Sequence, residues 1–117
     1  MKRDWDLVRK ILMRVESLEY GQELRAGDIE GYDSPVVSHH LRILMEAGLI
    51  DVIEFDALGD WEGIATRLTW DGHEFIDQIR SDTIWRKVKD RLTHEGLSAS
   101  FHAIRAIADG LVRSALG

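Results

Sequence analysis

A chain of 117 residues, 44% of them hydrophobic and only one a proline, carries enough apolar material for one folded domain with a core. Its formal charge of −6, from 15 basic and 21 acidic residues, excludes a generic basic binder, because sequence-independent affinity for nucleic acid comes from neutralising phosphates. The absence of cysteine excludes disulfides and thiolate metal sites. No apolar run approaches the roughly 18 residues that span a bilayer, and the charged start Met1–Asp6 is no signal peptide, so a cytoplasmic protein with no membrane partner is expected.

In chain order, Asp4 is placed to cap a first helix reaching about Leu18, with Trp5, Val8, Ile11, Leu12, Val15 and Leu18 at helical spacing. From Glu19 to Asp33 the pattern weakens. Gly21, Gly27 and Gly31 interrupt it, Leu24, Ile29 and Tyr32 are its apolar anchors, and a loop with a short strand near Asp28–Tyr32 is predicted. A helix-turn-helix would place its positioning helix here, and none is legible.

The next stretch is the most regular. Ser34 suits an N-cap, Pro35 the first helical position, and Gly48 the left-handed residue that closes a helix. At roughly 100° per residue, Val37, Leu41, Leu44 and Met45 share a face bordered by His40 and Ala47, whereas Pro35, Ser38, His39, Arg42 and Glu46 point the opposite way. Leu49 follows where an apolar residue folds back onto the last turn. Ile50–Asp56 and Ile64–Thr69 then read as two strands, with Ala57–Gly63 as the turn between them.

Thr69 is predicted to cap a helix from Trp70 that includes Phe75, Ile76 and Ile79, and Asp82 is a second start for a segment carrying Trp85, Val88 and Leu92. One kinked helix and two separate helices are both compatible with this. After a turn at Gly96, Ser98 is predicted to cap a last helix with Phe101, Ile104, Ala108, Leu111, Val112 and Ala115 along one stripe. The expected fold is mainly α with a small β-hairpin: a winged helix-turn-helix with additional C-terminal helices, in one domain over residues 1–117.

Two local strings carry resemblances. Val37–Ile50, VSHHLRILMEAGLI, resembles the recognition helix of ArsR-like repressors, and Leu68–Gly72 is similar to the strand-to-helix junction of several winged-helix regulators. Over nearly the whole chain, the opening Met1–Leu12, the Ser38–Leu41 centre, Arg67–Phe75 and the run Asp82–Trp85 resemble a family of uncharacterised proteins from bacteria and their prophages, domain-of-unknown-function family 2513. That likeness implies a winged-helix-like fold and a phage-linked context, with no established activity. Metal sensing of the ArsR type does not carry over, since there is neither a cysteine pair nor a clustered set of histidines and carboxylates.

Candidate functional residues follow from the outward helix face. Arg42 is suited to contact guanine and Ser38 and His39 to reach base edges or phosphates, with the helix start at Ser34 receiving a phosphate and Arg67 a backbone contact beside the wing. The alternative is an ordinary solvated surface, because between Ser34 and Asp56 Arg42 is the only Lys or Arg. Trp61, flanked by Asp60 and Glu62, is either a protein-contact anchor near a loop tip or an indole folded back onto the hairpin. His39 and His40 diverge on a helix and cannot chelate one metal. The polar set Asp71, His73, Glu74 and Asp77 has no accompanying catalytic motif, so neither an enzyme nor a cofactor is expected.

The basic run Arg86, Lys87, Lys89 and Arg91 is interleaved with acids and reads as a solvated face. The C-terminal stripe is core, and in addition the expected interface of a homodimer. The leading reading is a sequence-specific DNA-binding transcriptional regulator that sets two such helices in successive major grooves of double-stranded DNA. The second is a winged-helix protein-interaction module, a small phage product engaging a host or phage protein.

Overall fold

Asp4 begins helix α1 (Trp5–Glu16) by accepting a hydrogen bond from the Leu7 amide at 3.1 Å. A computed structural model describes residues 1–116, with side chains to Ser114. Helix α1 buries Leu7, Val8, Ile11, Leu12 and Val15. It stops short of Leu18 because the Ser17 hydroxyl donates to the Arg14 carbonyl at 2.7 Å and the Leu18 amide turns back to Val15.

Between residues 19 and 33 the predicted strand near Asp28–Tyr32 is not formed. The segment instead touches the hairpin through a bridge at Leu24, whose amide and carbonyl each pair with Ala65 at 2.9 Å. One 3-10 turn, Ala26–Asp28, stands where a positioning helix would, closed by the Asp28 carboxylate accepting from the Arg25 amide at 2.8 Å. What holds the rest is α1. Lys10 donates to the Glu30 carbonyl at 3.1 Å and Arg14 to the Asp28 carbonyl at 3.2 Å. Burial, with the nearby carboxylates of Asp4 and Asp6, pushes the Tyr32 phenol above its ordinary pKa.

Helix α2 (Ser34–Glu46) begins at the predicted cap itself, so its cap lies one residue earlier. Asp33 is the N-cap, since its carbonyl accepts from both Val36 and Val37, which leaves Ser34 and Pro35 as the first helical residues. Val37, His40, Leu41 and Leu44 are buried, whereas Met45 is half-buried and Ala47 exposed. His40 is fully buried and links two helices: its Nε2 accepts from the Asp4 amide at 2.8 Å, so its proton sits on Nδ1, 2.8 Å from the Val36 carbonyl. At the far end Gly48 takes φ +75°, and the Gly48 and Leu49 amides return to Met45 and Leu44.

Strands β1 (Ile50–Ala57) and β2 (Asp60–Leu68) form an antiparallel hairpin joined by Leu58 and Gly59. Both turn residues have positive φ, +52° and +89°, the geometry of the tight turns that match strand twist. The hairpin is therefore longer than predicted. Leucine concealed the turn because asparagine, aspartate or glycine usually holds its position. Near the base, Thr66 is an extra residue between the pairs Asp51↔Arg67 and Val52↔Ala65.

Thr69 joins three pieces. Its amide donates to the Leu49 carbonyl at 3.0 Å, its hydroxyl donates to the Gly48 carbonyl at 2.6 Å, and the same oxygen accepts from the Gly72 amide at 3.1 Å as the cap of helix α3 (Trp70–Ile79). Gly72 lies so close to the Leu49 carbonyl that a methyl group there would collide with backbone.

Helix α4 (Asp82–His94) is separate from α3, capped by Ser81, whose side chain accepts from the Ile84 amide; Asp82 is its first residue. Helix α5 (Phe101–Leu116) is capped by Ser100 and not by Ser98, because Leu97 folds back onto Leu92 to close α4 and two more residues are needed to leave that turn. Ile104 and Ala108 are buried, Leu111 is half-buried and Val112 exposed; Ala115 lies outside the described side chains.

Among the described residues this is a mixed α+β fold, mainly helical, with five helices and a two-stranded sheet. Its contacts group into two compact units, Met1–His73 and Glu74–Gly117. In the first, helix, 3-10 turn, helix and hairpin follow in winged-helix order, with α1 and α2 packed on the hairpin base. In the second, the rings of Phe75 and Phe101 lie 4.6 Å apart, and Gln78 links Arg105 to Asp109. None of the described helices is long and apolar enough to cross a membrane.

Gly72→Ala is expected to cost more than about 3 kcal/mol in urea denaturation, against about 1 kcal/mol for Thr69→Val, which removes the cap hydroxyl at nearly constant volume. Leu58→Asn should gain about 1 kcal/mol by placing a tolerant residue in the left-handed region. An unchanged Gly72→Ala midpoint would show that the junction is loose.

Candidate interaction face of helix α2 and the wing

The outward face of α2 is set by burial of its opposite side. With Val37, His40, Leu41 and Leu44 fixed inward, Ser34 and Arg42 are exposed and Ser38 and His39 half-exposed. The His39 ring stands at 87° to that of His40 with centroids 5.7 Å apart, so the adjacent histidines separate into a surface residue and a core residue. No group of three or more histidines, aspartates or glutamates converges as a metal site among the described residues.

Register places Trp61 in strand β2 opposite Asp56, one pair in from the two-residue turn, and of the two placements open to it the indole takes the one folded back onto the hairpin. Its indole folds back along the hairpin over Gly63, where any side chain would strike the ring and the Val52 methyl. The indole Nε1 donates to Glu54 at 2.9 Å, and the Arg42 guanidinium sits 5.3 Å from the ring centroid. Arg42 also approaches Glu46 at 3.7 Å. Glutamate, arginine, indole and glutamate thus form one continuous chain of contacts from α2 to the wing.

Beside this chain lies a cleft of about 360 Å³. Ser34, Pro35 and Ser38 line it from the helix, and Asp60, Trp61 and Glu62 from the wing. The structure therefore brings Ser34, Ser38, Arg42 and Trp61 together. Arg67 is elsewhere: it faces the other side of the hairpin, 2.6 Å from Asp51, and donates to the Leu68 carbonyl. Asp60 and Glu62 were not singled out as site residues by sequence. The corrected register carries that signal, since only a two-residue turn brings both onto a strand beside α2.

Charge decides what this surface accepts. Between residues 15 and 73 the only basic residues are Arg25, Arg42 and Arg67, against thirteen acidic ones. All three arginines are paired, Arg25 with Glu23 at 3.4 Å and the other two as described. Exposed pairs of this kind contribute little stability, but they leave no arginine of this stretch without a carboxylate partner, while Asp60 and Glu62 line the cleft. In α1, Lys10 and Arg14 are occupied by loop carbonyls. A phosphate entering the cleft would meet Asp60 and Glu62, whereas an ammonium or guanidinium group would meet two carboxylates and an indole.

Comparison with known proteins gives two matches. The model of a family described as "Hypothetical protein (DUF2513)" matches residues 2–98. An uncharacterized protein of Haemophilus influenzae is 39% identical over 117 residues, covering 99% of each chain.

Gly63→Ala is expected to displace the Trp61 indole. Its Nε1–H resonance should then lose the shift caused by the Glu54 hydrogen bond, with stability falling by about 1 kcal/mol. An indole resonance that stays in place would mean that Trp61 does not depend on the open space at Gly63.

Proposed function

We propose that this chain, which belongs to the DUF2513 family, is a protein-interaction module built on a winged-helix frame, and that its α2 and wing face receives a basic protein surface. The observation that carries the reading is the pairing of Arg25, Arg42 and Arg67 with carboxylates within a region that holds thirteen acidic residues. A winged helix that grips DNA needs unpaired cations along the recognition helix and wing to displace counterions from the phosphates. Here the wing presents Asp60 and Glu62. Trp61 supplies the large, stiff aromatic surface that protein contacts favour. In this reading the protein is cytoplasmic, of phage-linked origin, and engages a host or phage protein.

A second reading, a sequence-specific DNA-binding transcriptional regulator, draws on the exposed Ser34 and Arg42 and the half-exposed Ser38 and His39 on the outward side of a helix that is packed on its other side. It requires Arg42 to exchange Trp61 and Glu46 for a base edge, and a homodimer through the C-terminal helices to present two copies of α2.

The two readings separate in one experiment on the purified protein. At about 150 mM salt, fragmented source DNA is expected to pass without enrichment of any site, because few phosphates find a free cation. A host or phage protein should be retained, eluted by salt, and lost with Trp61→Ala or with the double variant Asp60→Lys and Glu62→Lys. Enrichment of twofold-related DNA sites, lost with Arg42→Ala, would overturn the interaction reading in favour of the regulator.

A further inference from the structure

The wing has the opposite polarity to an ordinary hairpin. In a two-stranded sheet packed on helices, the side away from the core is expected to be polar. Ile50, Val52, Ala65 and Leu68 face the core from the base, but the same side then continues as Glu54, Asp56, Gly63 and Trp61. The outer side carries Ile53, Phe55 and Ala57 along β1, with Ile64 across from Ile53. Ile53 is 55% exposed and Phe55 41%. Opposite Phe55 and Ala57 stand Glu62 and Asp60, so one strand of this face is apolar and the other acidic. The Asp51–Arg67 ion pair closes it at the base.

The tip adjoins this surface, next to Ala57 and Asp60. Leu58 is fully exposed and holds a positive φ that costs a leucine about 1 kcal/mol and an asparagine much less. Neither exposure nor backbone conformation in the isolated chain favours leucine there. A contact made by that side chain would.

We propose that the outer face of the hairpin docks an amphipathic helix of the partner protein, with its apolar stripe on Ile53, Phe55, Leu58 and Ile64 and a border of lysines or arginines against Asp60 and Glu62. The proposal rests on the protein-interaction reading and assigns it a second contact surface, the outer side of the hairpin, which shares Asp60 and Glu62 of β2 with the cleft beside α2. Width and charge identify the occupant. Two strands about 5 Å apart present a face about one helix wide, and a sheet face is most simply covered by a helix. A second copy of the chain is the poorer fit, because stacking two such faces would bury the carboxylates of Asp60 and Glu62 from both copies against only an Arg67 that each copy already pairs with Asp51.

The test is a two-dimensional NMR titration of the intact protein with a synthetic helical peptide of leucines on one face bordered by lysines, set against the same peptide with glutamates for lysines. The lysine peptide is expected to shift the amides of Ile53, Phe55, Leu58 and Ile64, and the glutamate peptide to leave them unmoved. The double variant Ile53→Thr and Phe55→Thr keeps strand-forming residues and should weaken binding at least tenfold. Leu58→Asn should raise the melting temperature while lowering peptide affinity, a split that a folding defect cannot produce.

Three results would overturn the proposal. Shifts confined to Ser34, Ser38 and Trp61 would leave the interaction reading standing and remove this surface from it. A lysine peptide that shifts neither surface would remove both. A concentration-dependent dimer abolished by Phe55→Thr would give the face to a second copy.

Discussion

The close approach of Gly72 to the Leu49 carbonyl is the constraint on which the first compact unit depends. It brings the first turn of α3 against the end of α2, and Thr69 then serves both neighbours with one hydroxyl, donating to Gly48 and accepting from Gly72. Because Leu49 directly precedes β1 and Thr69 directly follows β2, the same few atoms close the base of the hairpin. The direction in which the wing leaves the core is therefore set at its root, by backbone geometry. Side chains farther out are left free to serve recognition.

Charge is organised with comparable economy. Five cations of the first unit are engaged internally, Lys10 and Arg14 by loop carbonyls and Arg25, Arg42 and Arg67 by carboxylates, and beyond the Asp51–Arg67 pair the wing carries only acidic charges. An order of elements associated with DNA readers is here combined with an acidic wing. Fold and function separate at this point, as they do wherever one frame hosts several kinds of site.

The parts of the fold legible in the sequence were those governed by repetition. Helices α1, α2, α4 and α5 announce themselves through apolar spacing, and Gly48 and Thr69 through junction chemistry. The errors fell where one residue decides between neighbouring options. Ser34 and Ser98 are good capping residues by type, yet Asp33 and Ser100 hold those positions because carbonyl geometry and the closing turn of α4 set the start of each helix. The hairpin turn was misplaced because Leu58 occupies a conformation that its type disfavours. That single displacement moved Trp61 from turn to strand and hid both the cleft beside α2 and the apolar outer face. Of the site residues read from sequence, Ser34, Ser38, Arg42 and Trp61 converge, and Arg67 could not be separated from them without the register.

The segment between α1 and α2 has one more consequence, for divergence among relatives. Besides the buried side chains of Leu24, Ala26 and Ile29, this segment is held through main-chain oxygens, those of Asp28 and Glu30, which receive Arg14 and Lys10. Every amino acid supplies a carbonyl. At these two contacts the anchoring information is written in the helix that donates, so an exposed loop position such as Glu30 is open to drift while the buried Leu24, Ala26 and Ile29 are not.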